Sequence, residues 1–290
     1  MVVHTTPAVT VVIATRDRCA RLRKCLRELT DLPERPAVIV VDNGSTDNTS
    51  SMVRLRFPSV SLVRLSRNRG AVGRNFGALR ARTPVVAFAD DDSGWAPGAL
   101  AAAAEHMRLH PRLGLLAART LVGPSGRLDD VSRLMAAAPL GTEPDLPGPS
   151  VLGFLACGAV VRREAFLQAG GFDPVVFFMG EEARVAYDLA RLGWGLAYCE
   201  DVVAMHDPGR PPDPSRVSLA NRNRALTSWM RRPLPVALAH TAALTAKAAH
   251  SSHGRRAMVQ LIRRFPAALA NRLPPDPRVE GHLRILDRAY

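Results

Sequence analysis

The stretch that decides the fold reads Pro-Val-Val-Ala-Phe-Ala-Asp-Asp-Asp-Ser-Gly-Trp and spans Pro84–Trp95. Its apolar part, Val85–Ala89, has no polar interruption, which is typical of a strand buried on both faces of a parallel sheet. The three aspartates Asp90–Asp92 follow this strand at once. Adjacent carboxylates repel one another, so a folded chain places them where positive charge compensates them. The stretch therefore predicts a buried strand that ends in an acidic turn at Ser93-Gly94.

Two interpretations of the acidic turn are open on these residues alone. In the first, Asp90–Asp92 hold a divalent cation and a phosphorylated ligand, because open α/β sheets bind ligands at the carboxyl ends of their strands. In the second, they form a solvated turn, and one aspartate caps a helix that begins near Pro97.

The rest of the first half repeats the pattern of a buried strand followed by a helix. Apolar strands are expected at Val9–Ala14, Ala37–Val41 and Ser61–Leu65, with helical patterns between them. This alternation is typical of βαβ units and a parallel sheet. The predicted fold class is α/β, with a Rossmann-like, mostly parallel sheet flanked by helices.

The second half is predicted from weaker patterns. Strands are expected at Leu113–Leu121, Val151–Val161 and Trp194–Tyr198, and a helix from Gly180 to about Leu192. The Pro-rich segment Asp207–Pro214 is expected to be mobile. Helices are then expected at 218–231 and 236–265. We therefore predict a catalytic domain over residues 1–210, made of halves 1–95 and 96–210, and a C-terminal helical extension over 211–290.

The charge is strongly positive and comes from arginine. The chain has 39 Lys and Arg against 26 Asp and Glu, a net charge of +13, and only Lys24 and Lys247 are lysines. Nucleic acid, an anionic membrane face or a phosphorylated substrate would each explain the excess. No recognisable nucleic-acid module is present, so no nucleic-acid partner is expected. Arginines in the predicted C-terminal helices indicate either a solvated face or peripheral docking on an anionic membrane.

The cysteines and the apolar runs bear on the compartment. The four cysteines are scattered, which predicts buried thiols in a reducing compartment rather than disulfides or a zinc knuckle. No signal peptide or membrane-spanning run is evident. We expect a cytoplasmic protein, with the inner face of the membrane as the place of any peripheral association.

Further polar residues stand at element ends, and each has a structural alternative. Asp42 ends its strand as Asp90 does, and either faces the same ligand or caps its own turn. Arg74 is either a phosphate partner or part of a solvated helix face. Glu181 and Glu182 begin a helix, where they either favour the helix dipole or supply a general base. His206 follows a short apolar run and is either structural or a metal ligand.

Taken in chain order, these motifs resemble the inverting, metal-dependent glycosyltransferases of family 2, which have the A-type nucleotide-sugar fold (GT-A). The resemblance covers residues from about 8 to 230, and it implies a nucleotide-sugar half over 1–95 and an acceptor half over 96–210. The motifs that carry it are Ala14-Thr15-Arg16, Asp42-Asn-Gly-Ser-Thr-Asp, Asn68-x-Gly70 through Arg74-Asn75-x-Gly77, Asp90-Asp-Asp92, Gly170-Gly-Phe-Asp173, Gly180-Glu-Glu182 and Val203-x-x-His206.

The resemblance implies a role for each matching position. Thr15 and Asp42 match contacts to the nucleoside. Asp90 and Asp92 match the two ends of the family's Asp-x-Asp motif, which carries the Mg²⁺ or Mn²⁺ and the diphosphate, and Asp91 lies between them on the substrate side. His206 matches a histidine that completes the metal shell.

The catalytic pair departs from the family pattern. The family has Glu-Asp, with the aspartate as base, where this chain has Glu181-Glu182. By position Glu182 is the base and Glu181 makes a contact at the helix start. Arg222-Asn223 matches an Arg-Asn pair of unassigned role in relatives.

The implied reaction moves a sugar from a nucleotide-diphosphate sugar to an acceptor hydroxyl with inversion. The acceptor is unspecified by sequence, and a lipid-linked acceptor is one candidate class. Two alternatives remain at this point. A nucleotidyltransferase would also use such a sheet and metal-binding aspartates, although Thr15-Arg16-Asp17-Arg18 lacks the glycines of a phosphate loop. A basic protein that binds a nucleotide sugar or an anionic surface without turnover is the other.

Overall fold

The computed structural model describes residues 8–209 and 213–289. Most of the predicted elements of the first half are confirmed to within one or two residues. The strands are β1 Val9–Thr15, β2 Ala37–Asp42, β3 Ser61–Arg64, β4 Val85–Ala89, β5 Ser93–Trp95, β6 Leu113–Val122, β7 Arg127–Leu128, β8 Ala159–Arg162 and β9 Gly195–His206. The helices are α1 Cys19–Thr30, α2 Thr49–Arg56, α3 Gly73–Arg80, α4 Ala99–Leu109, α5 Asp130–Ala136, α6 Arg163–Gln168, α7 Glu182–Arg191, α8 Pro214–Arg231, α9 Leu234–His250, α10 Ser252–Ala270 and α11 Pro277–Ala289.

The strands form one sheet in the order β3-β2-β1-β4-β8-β6-β9-β5, with β7 paired to β6. Strands β1 to β4 are parallel to one another, as predicted. The second half is mixed, because β8 runs antiparallel to both β4 and β6 while β6 and β9 are parallel. The α/β class and the helix-flanked sheet are confirmed, and the parallel part is concentrated where the acidic turn lies.

Two buried layers cover the sheet. One packs α1 and α4 against one face, with Leu22, Leu26 and Leu100 fully buried. The other packs α3, α6 and α7 against the opposite face, around Phe88 and Phe166. Alternate residues of β1 point into the two layers, which is the two-residue period of a strand. The carboxyl ends of β1, β2 and β4 are thus held rigidly between helices.

Three local predictions were wrong. Ser93-Gly94 is not a turn, because residues 93–95 form β5 and pair with the end of β9. Within the stretch 151–161, only its end is strand, and β8 begins at Ala159 after a short 3₁₀ turn. The expected helix 236–265 is two helices, because Ser251 is extended and its side chain accepts a hydrogen bond from the Gly254 amide to cap α10.

The C-terminal helices pack onto the sheet domain rather than lying apart from it. Val175 and Val176, from the loop before α7, share a buried cluster with residues of α8, α9 and α10. The Pro-rich segment 207–214, predicted to be mobile, falls partly outside the described residues. The boundary at residue 210 stays a prediction. Among the described helices, none is both long and apolar enough to cross a membrane.

Candidate active site

Polar side chains from three neighbouring strands meet at one edge of the sheet. The parallel register sets Thr15 beside Asp42, and Ile13 beside Ala89, so that Asp90 starts level with the end of β1. The Thr15 hydroxyl donates to Asp91 Oδ2 at 2.6 Å. The structure therefore brings the strand-end residues together, as the parallel pattern predicted.

Asp42 is fully buried and is bonded by its own turn. One oxygen accepts from the Ser45 amide at 2.7 Å, and the other accepts from the Ser50 hydroxyl. In this structure the contacts of Asp42 are therefore those of a residue that caps its own turn. A contact between Asp42 and a nucleoside stays a prediction.

Asp91 and Asp92 are neutralised by two arginines that the sequence analysis missed. Arg18 Nη1 lies 3.2 Å from Asp91 Oδ1 and 3.1 Å from Asp92 Oδ2, and Arg21 Nη1 lies 2.8 Å from Asp92 Oδ2. The side chains of Arg18 and Arg21 are 37% and 43% exposed, so they can move when a ligand arrives. Burial raises the pKa of Asp91. Arg18 follows the end of β1 closely, and that position could have indicated its place at the same edge.

His206 reaches this edge through strand pairing. β5 and β9 run antiparallel with Ser93 opposite His206, which puts the imidazole next to the acidic turn. His206 Nε2 lies 3.7 Å from Asp92 Oδ1. Two ligand atoms that each lie ~2.1 Å from one cation can be up to roughly 4 Å apart. The distance between His206 Nε2 and Asp92 Oδ1 therefore fits a shared divalent ion. Carboxylate oxygen and imidazole nitrogen are both ligands that such ions accept.

The Asp90 side chain contacts Arg74 rather than His206 or the arginines Arg18 and Arg21. The guanidinium of Arg74 forms an ion pair with Asp90, and its Nη1 lies 3.5 Å from Glu181 Oε1. Arg74 is only 4% exposed, so the alternative of a solvated helix face is wrong. Its role as a phosphate partner stays a prediction. In this structure Arg74 links the acidic turn to the start of α7.

Glu181 and Glu182 differ in their surroundings. Glu181 is 2% exposed, and its Oε2 has no hydrogen-bond partner within residues 8–209 and 213–289. Glu182 is the first residue of α7 and is half-buried. Desolvation of its carboxyl and the neighbouring charge of Glu181 raise the pKa of Glu182 to about 8. A half-buried carboxylate with a raised pKa has the properties of a general base.

The loop that leads to this pair has a strained backbone. Phe177, Met179 and Gly180 all have positive φ, at 72°, 71° and 76°. Such angles are uncommon for bulky residues and persist only where the surroundings impose them. On one side, the Ala71 amide donates to the Phe177 carbonyl at 2.6 Å, and a Cβ at Gly70 would clash with the same oxygen.

The C-terminal helices hold the same loop from the other side. Asn223 Nδ2, on α8, donates to the carbonyls of Phe178 and Met179 at 2.6 Å each. Arg222 Nη2 donates to the Val176 carbonyl at 3.1 Å, and Arg264 of α10 donates to the Val175 carbonyl at 2.7 Å. Asn223 is fully buried and Arg222 is 2% exposed. The Arg-Asn pair thus fixes the backbone that carries Glu181 and Glu182.

A cavity of about 460 Å³ opens beside the acidic turn on the α1 side. This volume lies in the range of small-molecule sites. The residues that give it its chemistry are Arg21, Lys24, Asp91, Asp92 and His206. Cations and metal-type ligands therefore line one space at the carboxyl end of the sheet.

Residues 10–169 match the family model described as "Glycosyl transferase family 2". The chain belongs to this family. The match spans more than half of the chain and contains the ends of β1, β2 and β4, from which the site is built. This family 2 chain is therefore a glycosyltransferase, which argues against the nucleotidyltransferase alternative.

Known proteins similar to this family 2 chain cover most of its length. An N-acetylglucosaminyl-diphospho-decaprenol L-rhamnosyltransferase from Mycobacterium tuberculosis is 28% identical over 275 residues, covering 79% of this chain and 88% of the relative. Mannosyltransferase PcManGT from Pyrobaculum calidifontis, solved with GDP-Man and Mn²⁺, has a TM-score of 0.58 at 21% identity and covers 92% of this chain and 88% of its own. S. aureus TarS 1–349, solved with UDP-GlcNAc, has a TM-score of 0.61 at 18% identity and covers 94% and 83%. The two structures show that the fold is shared.

A second group of side chains that could bind a metal lies away from the acidic turn, and its sequence spacing did not indicate it. Cys199 of β9 lies beside His106 and Asp201, with their ligand atoms within 4.8 Å of one another. His106 Nε2 and Asp201 Oδ2 are 2.7 Å apart. Burial raises the pKa of the Cys199 thiol to about 12. The group is therefore a surface histidine–carboxylate pair over a neutral thiol. All four cysteines are free, and Cys19 alone is half-buried rather than buried.

Proposed function

We propose that this chain transfers a sugar from a nucleotide-diphosphate sugar to an acceptor hydroxyl, with inversion at the anomeric carbon. The observation that carries the proposal is the convergence of Thr15, Asp42 and the acidic turn at one sheet edge, with His206 brought to the same place by β9. Relatives solved with GDP-Man and with UDP-GlcNAc support the donor class.

Asp92 and His206 would hold a Mg²⁺ or Mn²⁺ ion, and Asp90 would join them after its side chain turned from Arg74, with which it is paired in the structure. Such an ion supplies Lewis-acid stabilisation of the diphosphate leaving group. Two fold relatives were solved with Mn²⁺. Arg18 and Arg21 now neutralise Asp91 and Asp92, and their partly exposed side chains lie where a diphosphate would need cations. Arginine forks suit phosphate oxygens, so we assign both to the diphosphate, with Arg74 behind them.

Thr15 and Asp42 would contact the nucleoside, at the ends of β1 and β2. Asp91 accepts a hydrogen bond from the Thr15 hydroxyl and so orients the Thr15 side chain at the rim of the site. Asp42 would meet the base or ribose from beneath the same edge.

Glu182 would take the proton of the acceptor hydroxyl. In-line attack on the anomeric carbon requires the base on the side opposite the leaving group. Glu182 begins α7 directly after Glu181, whose carboxylate pairs with Arg74 on the side away from Asp92. Glu181 would stay bonded to Arg74 and keep the start of α7 in place.

The M. tuberculosis relative is named for rhamnosyl transfer to a decaprenol-linked acceptor. We propose a lipid-linked acceptor and a deoxyhexosyl or hexosyl donor on that basis. A cytoplasmic location next to the membrane is the matching proposal for where the enzyme works.

A donor panel tests the transfer reaction. Release of nucleoside diphosphate from nucleotide-activated L-rhamnose, GDP-mannose and UDP-GlcNAc is measured with and without a polyprenyl-diphosphate-sugar acceptor. We expect one donor to be consumed faster when acceptor and Mn²⁺ are both present. Binding of a donor with no turnover under any acceptor would instead favour a binding protein without catalysis.

The Arg-Asn pair gives a prediction about positioning. Asn223→Ala removes both hydrogen bonds to the strained loop, and displacement of a catalytic group by ~1 Å can cost ~100-fold in rate. We expect kcat to fall by roughly 10- to 100-fold while the donor Kd, measured by calorimetry, stays the same. The matched control is Asn221→Ala on the same helix, where the side chain only bonds the Val217 carbonyl. A loss of donor affinity equal to the loss of kcat would contradict a role confined to the base side.

A further inference from the structure

The positive charge of this chain is concentrated in one region. Residues 214–275 contain no aspartate or glutamate over 62 positions. The same stretch has eleven basic residues: Arg216, Arg222, Arg224, Arg231, Arg232, Lys247, Arg255, Arg256, Arg263, Arg264 and Arg272. Such a distribution attracts polyanions or anionic surfaces.

Several of these arginines are used within the fold. Arg231 pairs with Asp188, and Arg232 pairs with Glu280 and Asp287. Arg264 is bonded to loop carbonyls, as is Arg222. In contrast, Arg255, Arg256 and Arg263 of α10 are exposed and have no ion-pair partner in the described part of the chain. These three arginines of α10 therefore carry positive charge that no ion pair within the described residues compensates.

The exposed side of α10 is also apolar. Val259, Ile262 and Leu269 are 48%, 62% and 43% exposed, on the helix that carries the unpaired arginines. At 100° per residue, the exposed positions of α10 fall within one continuous face less than half a turn wide. We refer to one set of exposed residues as the α10 outer face: Arg255, Arg256, Val259, Ile262, Arg263 and Leu269. The opposite side of the helix is buried through Gly254, Ala257, Leu261 and Ala268.

We propose that the α10 outer face docks on an anionic phospholipid membrane. A helix with aliphatic residues along its exposed middle and arginines beside them lies in the headgroup region, where the aliphatic groups enter the acyl boundary and the cations meet lipid phosphates. Single-stranded nucleic acid is the weaker fit, because sequence-tolerant binding to it relies on exposed aromatic rings, and this face has none. Helices α8, α9 and α10 themselves carry no acidic residue that would repel the lipid, and Asp213, the N-cap of α8, is an acid close to His253 at the start of α10.

The placement of α10 relates this face to the site. Arg264, on the inner side of α10, donates to the carbonyls of Pro174 and Val175 in the loop before Glu181. The α10 outer face and the loop before Glu181 therefore lie on opposite sides of a single helix, about 10 Å in diameter. The docking itself does not depend on the proposed reaction.

Vesicle flotation of the full chain tests the docking. Phosphatidylcholine vesicles with and without phosphatidylglycerol are compared at low and high salt. We expect binding only to the anionic vesicles, weakened by salt. The triple variant Arg255→Glu, Arg256→Glu, Arg263→Glu should lower the partition coefficient by at least roughly 100-fold, since each basic residue near the surface contributes severalfold. Val259→Ser with Ile262→Ser should also weaken binding while its salt dependence remains.

A matched control separates this face from net charge. Arg54, Arg56 and Arg82 are exposed arginines outside the C-terminal helices, and changing all three to glutamate alters the net charge equally. That variant should retain most of the vesicle binding. Equal loss in both triple variants, equal binding to neutral vesicles, or binding to RNA without binding to vesicles would each overturn the proposal. Since transfer to a soluble acceptor analogue reports the reaction separately, failure of docking and failure of catalysis are distinguishable.

Discussion

Replacing Glu182 by glutamine is expected to lower kcat by about 10²- to 10⁴-fold, the contribution of a positioned general base, while donor affinity stays the same. Glutamine has nearly the same shape but cannot accept a proton. The measurement is steady-state transfer together with calorimetry of the donor. Glu164→Gln is the matched control, because Glu164 is an exposed glutamate in the first turn of α6.

The pH dependence of the same reaction gives a second readout. Desolvation and the charge of Glu181 raise the pKa of Glu182, so its carboxyl is protonated over a range in which an ordinary glutamate is ionised. A base works in its deprotonated form, and kcat should therefore increase as the pH rises through this raised pKa. Glu182→Gln should flatten that limb of the profile.

Two outcomes would change the assignment of the base. If Glu182→Gln kept nearly full activity and Glu181→Gln lost it, the base would be Glu181, and the contact to Arg74 would be part of catalysis. If neither substitution mattered with a working acceptor, the pair would only begin α7. Glu182→Asp restores the family's residue and shows whether the loop has adjusted to the longer side chain.

Asp92→Asn is expected to reduce turnover by roughly three orders of magnitude, since a Lewis-acid cation contributes several kcal/mol to such a transition state. Asp92 is the carboxylate that lies between the arginines of α1 and His206. The amide keeps the hydrogen-bonding shape but loses the charge that a hard divalent ion requires. Turnover is measured with Mg²⁺, with Mn²⁺ and after EDTA, and thermal unfolding checks that the fold is retained.

The metal prediction has a matched control on β9. Asp201→Asn makes the same chemical change at an exposed carboxylate whose described partner is His106. It should leave turnover unaffected. Activity that persists undiminished after EDTA would remove the metal from the proposal, and Asp92 would then be a partner of Arg18 and Arg21 alone.

The parts of the fold that could be predicted are those set by short-range patterns. The short, mostly apolar and β-branched runs of β1, β2 and β4 are typical of buried strands, and parallel pairing then puts Thr15, Asp42 and Asp90 at one edge. On α1, the apolar residues Leu22, Cys25, Leu26 and Leu29 recur at helical spacing, and they are the ones that the structure buries. These predictions needed no knowledge of distant contacts.

The parts that could not be predicted depend on partners far along the chain. Ser93-Gly94 has the composition of a turn, yet it becomes a strand because the end of β9 pairs with it. Arg74 resembles an exposed helix residue, but its charge is taken up by Asp90 and by Glu181, more than a hundred positions away. Local composition carries no signal for such pairings. The role of Arg74 as a phosphate partner remains a prediction.

The shared packing of the loop before α7 limits how this enzyme could be rebuilt. Its backbone is bonded by α8 and α10 and its valines lie in their apolar cluster. A chimera that exchanged only the C-terminal helices for those of a relative, in order to change the acceptor, would also replace the donors that shape this loop. Recombination is therefore expected to succeed where residues 174–182 travel together with the helices. In this architecture the C-terminal helices and the loop that carries the catalytic pair would be exchanged as one block.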